Sequence, residues 1–153
     1  MSIAFVGIDA SLNHGAVVVL DLDGGLLGFS FYDKTKKGTE LPKDVHGFGT
    51  RVPAEILKIE DPDRRSVARL RWLRDWFGET TKSIGGNVFV GLESYAIRAE
   101  HGSHALGEIG AVVRLAVTDR PNCALRLHDP TSVKLWATGK GNASKDEVRA
   151  AVG

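Results

Sequence analysis

Apolar and polar positions along the chain separate short strands from longer helices. Ile3 to Asp9 is a short apolar run with β-branched residues that ends in a carboxylate, the pattern of a strand buried on both faces. Ala16 to Leu20 is a second β-branched run, and Asp23-Gly24-Gly25 supplies turn residues before a third run, Leu26–Tyr32. Three runs joined by short turns predict an antiparallel meander. Residues 33–60, with two prolines and several glycines, sustain no period and read as an irregular loop around one short element at most.

Helix signals begin at Asp61-Pro62-Asp63, a cap followed by proline at the first helical position. Val67, Leu70, Leu73 and Phe77 then fall on one face, and Gly78 is the expected stop. The arginines on the other faces (Arg64, Arg65, Arg71, Arg74) suit either phosphate contacts or a solvated surface. Gly85-Gly86-Asn87 marks a turn before Val88–Leu92, an apolar strand that delivers Glu93. After a polar stretch, Ser94–Ser103, the positions Leu106, Ile109, Val113 and Val117 predict a second helix ending at Pro121-Asn122. Ala124–His128 reads as the last strand, and Asp129-Pro130 caps a short helix, Thr131–Ala137. A loop over 138–142 leads to Ser144, which caps a final helix from Lys145. The order β-β-β-α-β-α-β-α-α describes one α/β domain over residues 1–153.

Composition changes this picture little. The chain is 42% hydrophobic and 25% charged with a net charge of +1, which excludes disordered and collagen-like classes. No apolar run approaches the length of a membrane span, and the first residues lack a basic leader. One cysteine, Cys123, closes no intrachain disulfide and builds no zinc cluster, so the cytoplasm is the expected compartment. Charge is unevenly spread. Residues 1–33 carry Asp9, Asp21, Asp23 and Asp33 and no Lys or Arg, while the rest holds all 20 basic residues. An acidic pocket beside a surface for polyanions fits this split, as do ordinary solvated faces.

Asp9 and Glu93 each close an apolar strand. Carboxylates are poor strand formers and costly to bury unpaired, and ligand sites gather at the carboxyl ends of parallel strands. If the two strands are neighbours, these side chains face each other within reach of one hard divalent cation, Mg²⁺ or Mn²⁺. Each carboxylate capping its own following turn is the other reading. The five histidines show no metal-ligand spacing of the HExxH type, and Gly139-Lys140-Gly141 is no Walker loop.

These segments together resemble the RuvC family of Holliday-junction resolvases. The residues that carry the likeness are Gly7-Ile8-Asp9 with the Ala-Ser turn after it, Gly91-Leu92-Glu93-Ser94, and the stretch from Pro130 through Lys134 and Ala137-Thr138-Gly139-Lys140-Gly141-Asn142-Ala143-Ser144 to Lys145. The phage-type branch is the nearer one, because Ala105-Leu106-Gly107-Glu108 matches a helix motif that follows its second acid. The likeness covers essentially the whole chain, and two lysines eleven positions apart around a Gly-rich loop are its most specific part. It implies a ribonuclease H-like α/β mixed sheet, a three-strand antiparallel meander plus parallel strands, flanked by helices. It further implies a homodimer that nicks four-way DNA junctions symmetrically with Mg²⁺ (Mn²⁺ as substitute) and takes no small-molecule cofactor. By the same resemblance Asp9 and Glu93 bind the metal, and Lys145, with Lys134, contacts phosphate near the scissile bond. Lys140 and Arg98 add DNA contacts, and Tyr95 is the candidate for stacking on a base.

Two departures stand against the family pattern. Ala10 and Ser11 replace its Pro-Gly turn. The family also completes its metal site with aspartates on a C-terminal helix, whereas only Asp146 and Glu147 follow Lys145 here. The expectation is therefore a chain truncated before that helix, retaining two of about four metal ligands, able to fold and dimerise but without strong cleavage. A non-catalytic branched-DNA-binding module is the alternative. A phosphotransferase half of the actin and sugar-kinase type would need a second lobe and a glycine-rich adenosine loop.

Overall fold

The computed structural model describes residues 2–11, 14–33, 47–94 and 103–152. Its elements are β1 (Ile3–Ala10), β2 (His14–Leu20), β3 (Leu26–Asp33), β4 (Gly47–Arg51), α1 (Ala54–Leu57), α2 (Pro62–Lys82), β5 (Asn87–Glu93), α3 (Ser103–Thr118), β6 (Cys123–His128), α4 (Pro130–Thr138) and α5 (Lys145–Val152). The strands form one six-stranded sheet in the order β4-β3-β2-β1-β5-β6. β1, β2 and β3 make the antiparallel meander, while β5 is parallel to β1 and β6 parallel to β5. This is the mixed sheet expected of a ribonuclease H-like fold. The segment read as irregular contributes an edge strand, β4, parallel to β3, and the short α1. Its glycines hid the strand: Gly49 sits beneath the ring of Phe31, where a Cβ would come within 2.6 Å of the ring.

The core lies on one face of the sheet. Val6, Ile8 and Ala10 of β1, Val88, Val90 and Leu92 of β5, and Val17 and Tyr32 pack against Leu73 and Phe77 of α2 and Ile109, Val113 and Val117 of α3. β1 is buried on this face alone, contrary to its reading as a strand covered on both sides, and β5 alternates in the same way. Phe5 and Phe89 point outward, 41% and 45% exposed, and stack on each other at 5.6 Å. The cause is placement: α2 and α3 pack together as one layer, and among the described residues only α4 and α5 reach the outer side.

α2 starts where its caps predict, with Asp61 accepting from the Arg64 amide. It does not stop at Gly78. A glycine inside a helix costs only about 1 kcal/mol, less than the packing gained by carrying Thr81 into the core, where it is 1% exposed. Val67, expected in the core, is 49% exposed. The inward face is set instead by Leu73 and Phe77, with Trp72 and Trp76 part-buried beside them. Past the helix end, Arg120 donates to the carbonyls of Thr81, Ile84 and Gly86, which ties the α2–β5 connection to the end of α3. No helix among the described residues is long and apolar enough to cross a membrane.

Candidate active site

Parallel pairing brings the two strand-ending carboxylates together. β1 and β5 run in register through Gly7–Gly91 and Ile8–Leu92, so Asp9 and Glu93 are the next residues of adjacent strands and share the outer face. Neighbouring strands are about 4.8 Å apart. Glu93 also pairs with His128, the last residue of β6, so Asp9, Glu93 and His128 form a row across three strand ends. Two residues back on the same face, Gly7 and Gly91 lie side by side, and a Cβ on Gly7 would meet nothing within 4 Å.

α4 and α5 build the wall above this row. Asp129 caps α4 by accepting from the Thr131 and Ser132 amides. Gly139 ends it with φ +75°, a conformation that favours glycine, and its amide donates to Leu135 at 2.8 Å. Gly141 lets the loop pass Thr131, whose methyl would lie 2.7 Å from a Cβ there. Ser144 and Glu147 then cap α5 reciprocally, the Ser144 amide donating to the Glu147 carboxylate at 2.7 Å and the Glu147 amide to the Ser144 hydroxyl at 3.2 Å. This box holds the Glu147 pKa below its ordinary value, chiefly through the Ser144 amide. The turn sets Lys145, the first residue of α5, over the sheet. A groove of about 500 Å³ results, bounded by Asp9, Glu93, His128, Lys134, Lys145 and Val148, with Gly7 and Gly91 also lining it.

The groove is electrically poised. Glu93 is solvent-exposed, yet its neighbours remove enough water to push its pKa above the ordinary carboxylate value. The negative charge of Asp9 pushes it further, against the pull of Lys145 and Lys134. A hard cation between the carboxylates would relieve both effects. The donor set fits Mg²⁺, which keeps several waters and is commonly held by one or two carboxylates together with substrate phosphate. Among the described residues no three His, Cys, Asp or Glu side chains gather closely enough to hold a metal by themselves.

No protein-family model matches the sequence, and no curated protein matches it significantly. Solved structures do. The RuvC structure of Thermus thermophilus superposes with a TM-score of 0.63 at 16% identity, covering 97% of this chain and 76% of that one. T. thermophilus RuvC in complex with a Holliday junction substrate gives 0.62 at 18% identity, with the same coverage. The chain has a RuvC-like fold.

On this RuvC-like frame, Asp9, Glu93, Lys134 and Lys145 meet at one groove. Lys140 does not line it; its ammonium is 3.5 Å from the Glu147 carboxylate, on the exposed loop before α5. Tyr95 and Arg98 lie outside the described residues. Sequence reasoning passed over His128, because histidines were compared by spacing along the chain, whereas parallel register is what places this one beside Glu93. It also passed over the Gly7–Gly91 pair as part of the groove lining. Glycine is a poor strand residue, and two of them, each two residues before a strand-ending acid, were an available signal.

Proposed function

We propose that this chain is the nuclease domain of a structure-selective endonuclease that resolves four-way DNA junctions, of the phage-type branch of the RuvC family, acting as a homodimer on cytoplasmic DNA. The observation that carries the reading is the adjacency of Asp9 and Glu93 at parallel strand ends beneath Lys134 and Lys145. The RuvC-like fold supports it, one of the matched structures being bound to a Holliday junction.

In this reading Asp9 and Glu93 hold Mg²⁺, or Mn²⁺ in its place. When bound, the metal supplies an acidified water and neutralises charge on a phosphodiester. The other roles belong to the chain. Lys134 and Lys145 attract the phosphate as point charges that read no sequence, and they hold it against the carboxylate pair. Without a cation the carboxylates repel DNA, so the lysines orient the strand while the acids prevent its settling. Lys140, Arg98 and Tyr95 stand further out, as contacts to the flanking DNA, with Tyr95 stacking on a base. Twofold symmetry in a homodimer matches two equivalent strands of a junction.

Gel shifts with four-way junction, linear duplex and single strand, in EDTA and in Mg²⁺, test the proposal. The expected result is preference for the junction, with Mg²⁺-dependent binding or nicking lost in Asp9→Asn. Equal affinity for duplex and junction refutes the junction reading. A second reading, a branched-DNA-binding module without catalysis, is favoured by a groove that, among the described residues, is lined by two carboxylates, Asp9 and Glu93. Junction binding without nicking, unaffected by Asp9→Asn, selects it.

A further inference from the structure

We propose that Tyr32 is a positioning residue for the Asp9 carboxylate, an inference that rests on the metal-binding reading above. Asp9 is the penultimate residue of β1, and its direction depends on how the chain is held as it leaves the strand. That exit is tied at Ser11. The Ser11 amide donates to the His14 carbonyl at 3.1 Å, the Ser11 hydroxyl donates to the same carbonyl, and the His14 amide donates to the hydroxyl at 3.1 Å. The Ser11 carbonyl takes a long-range bond, from the hydroxyl of Tyr32, twenty-one residues away on β3.

Tyr32 is fully buried. Its ring is met edge-on by Trp72, Trp76 and Phe77, at 5.5, 5.0 and 6.0 Å, so the α2 layer fixes where the hydroxyl points. Tyr32 pairs across the ladder with Gly15, and the ring occupies the space that a side chain there would take: a Cβ on Gly15 would come within 2.6 Å of it. Gly15 in turn pairs with Ala10, and Ala16 with Asp9. A path of direct contacts therefore runs from the helix layer through one aromatic hydroxyl to the turn two residues after Asp9. Removing that hydroxyl orphans a part-buried carbonyl and frees the turn, while the ring can still fill its cage. Groups hydrogen-bonded directly to a ligating side chain are worth about 10–100-fold in metal affinity, and Tyr32, acting through the backbone two residues beyond Asp9, belongs at the low end of that range.

The test is Mn²⁺ affinity of the whole chain, read by titration of the free-ion electron spin resonance signal, beside the melting temperature. Tyr32→Phe is expected to weaken Mn²⁺ binding about tenfold, and Gly15→Ala, which presses on the ring from the other side, to weaken it likewise. Val113→Ala serves as the comparator: it removes fully buried side-chain volume on α3, and it should lower the melting temperature at least as far yet leave Mn²⁺ affinity unchanged. Wild-type Mn²⁺ affinity in Tyr32→Phe overturns the inference, as does an equal loss in Val113→Ala, which would reduce Tyr32 to general stability. If Asp9→Asn binds Mn²⁺ as the wild type does, the metal-binding reading falls first and this inference with it.

Discussion

Glu93→Gln in the metal-free protein should raise stability, because it removes a charge that the fold holds under repulsion. The Glu93 pKa is raised by loss of water and then by Asp9, so the native protein binds this proton more tightly than the unfolded chain. Between the ordinary value and the raised one, stability therefore falls as pH rises, the reverse of an ion-paired carboxylate. Two unit charges on adjacent strands, about 5 Å apart, repel by about 1 kcal/mol in a water-like dielectric and about 3 kcal/mol at an effective value of 20. Glu93 is exposed and two lysines oppose the effect, so solvent screening sets the lower figure. A gain of about 1 kcal/mol corresponds to about 2–4 °C in a chain of this size. The assay is thermal unfolding in EDTA across the acid range, repeated with Mg²⁺. The stability difference between Glu93→Gln and wild type should grow from acid to neutral pH as Glu93 ionises, and Mg²⁺ should stabilise the wild type more than the variant. A variant that melts lower than wild type in EDTA, or gains as much from Mg²⁺, refutes the reasoning.

Two further outcomes follow from the same geometry. Gly7→Val should keep or raise the melting temperature, because the new side chain meets nothing within 4 Å at its Cβ and β-branched residues favour strands by up to about 1 kcal/mol; it should also weaken junction binding by filling the groove floor, and unchanged binding in gel shifts would remove Gly7 from the DNA path. Arg120→Ala should lower stability by about 2–4 kcal/mol in urea titrations, since three carbonyls at the α2–β5 connection lose a charged donor together, and a loss below about 0.5 kcal/mol would show that solvent replaces the arginine fully.

Local signals carried most of the fold. Asp61-Pro62, Asp129-Pro130 and Ser144 each start a helix where their capping chemistry predicts, and the three apolar runs before residue 33 pair as the meander they suggest. Local signals misled where tertiary packing outweighed a weak preference. Gly78 is a helix stopper only in isolation, and β4 could not be read because Gly49 makes room for the ring of Phe31 rather than adding to an apolar face of its own.

The candidate site divides along the same line. Strand-ending carboxylates and the lysine pair around a Gly-rich loop are properties of the sequence, visible because charged residues at the close of apolar runs need a reason to be there. That Asp9 and Glu93 are in step, that His128 extends their row, and that Tyr32 reaches the turn after Asp9 were decided by the tertiary structure alone. Strand order and register are set by which faces α2 and α3 cover and by which side chains interlock beneath them, and a single strand's sequence contains neither.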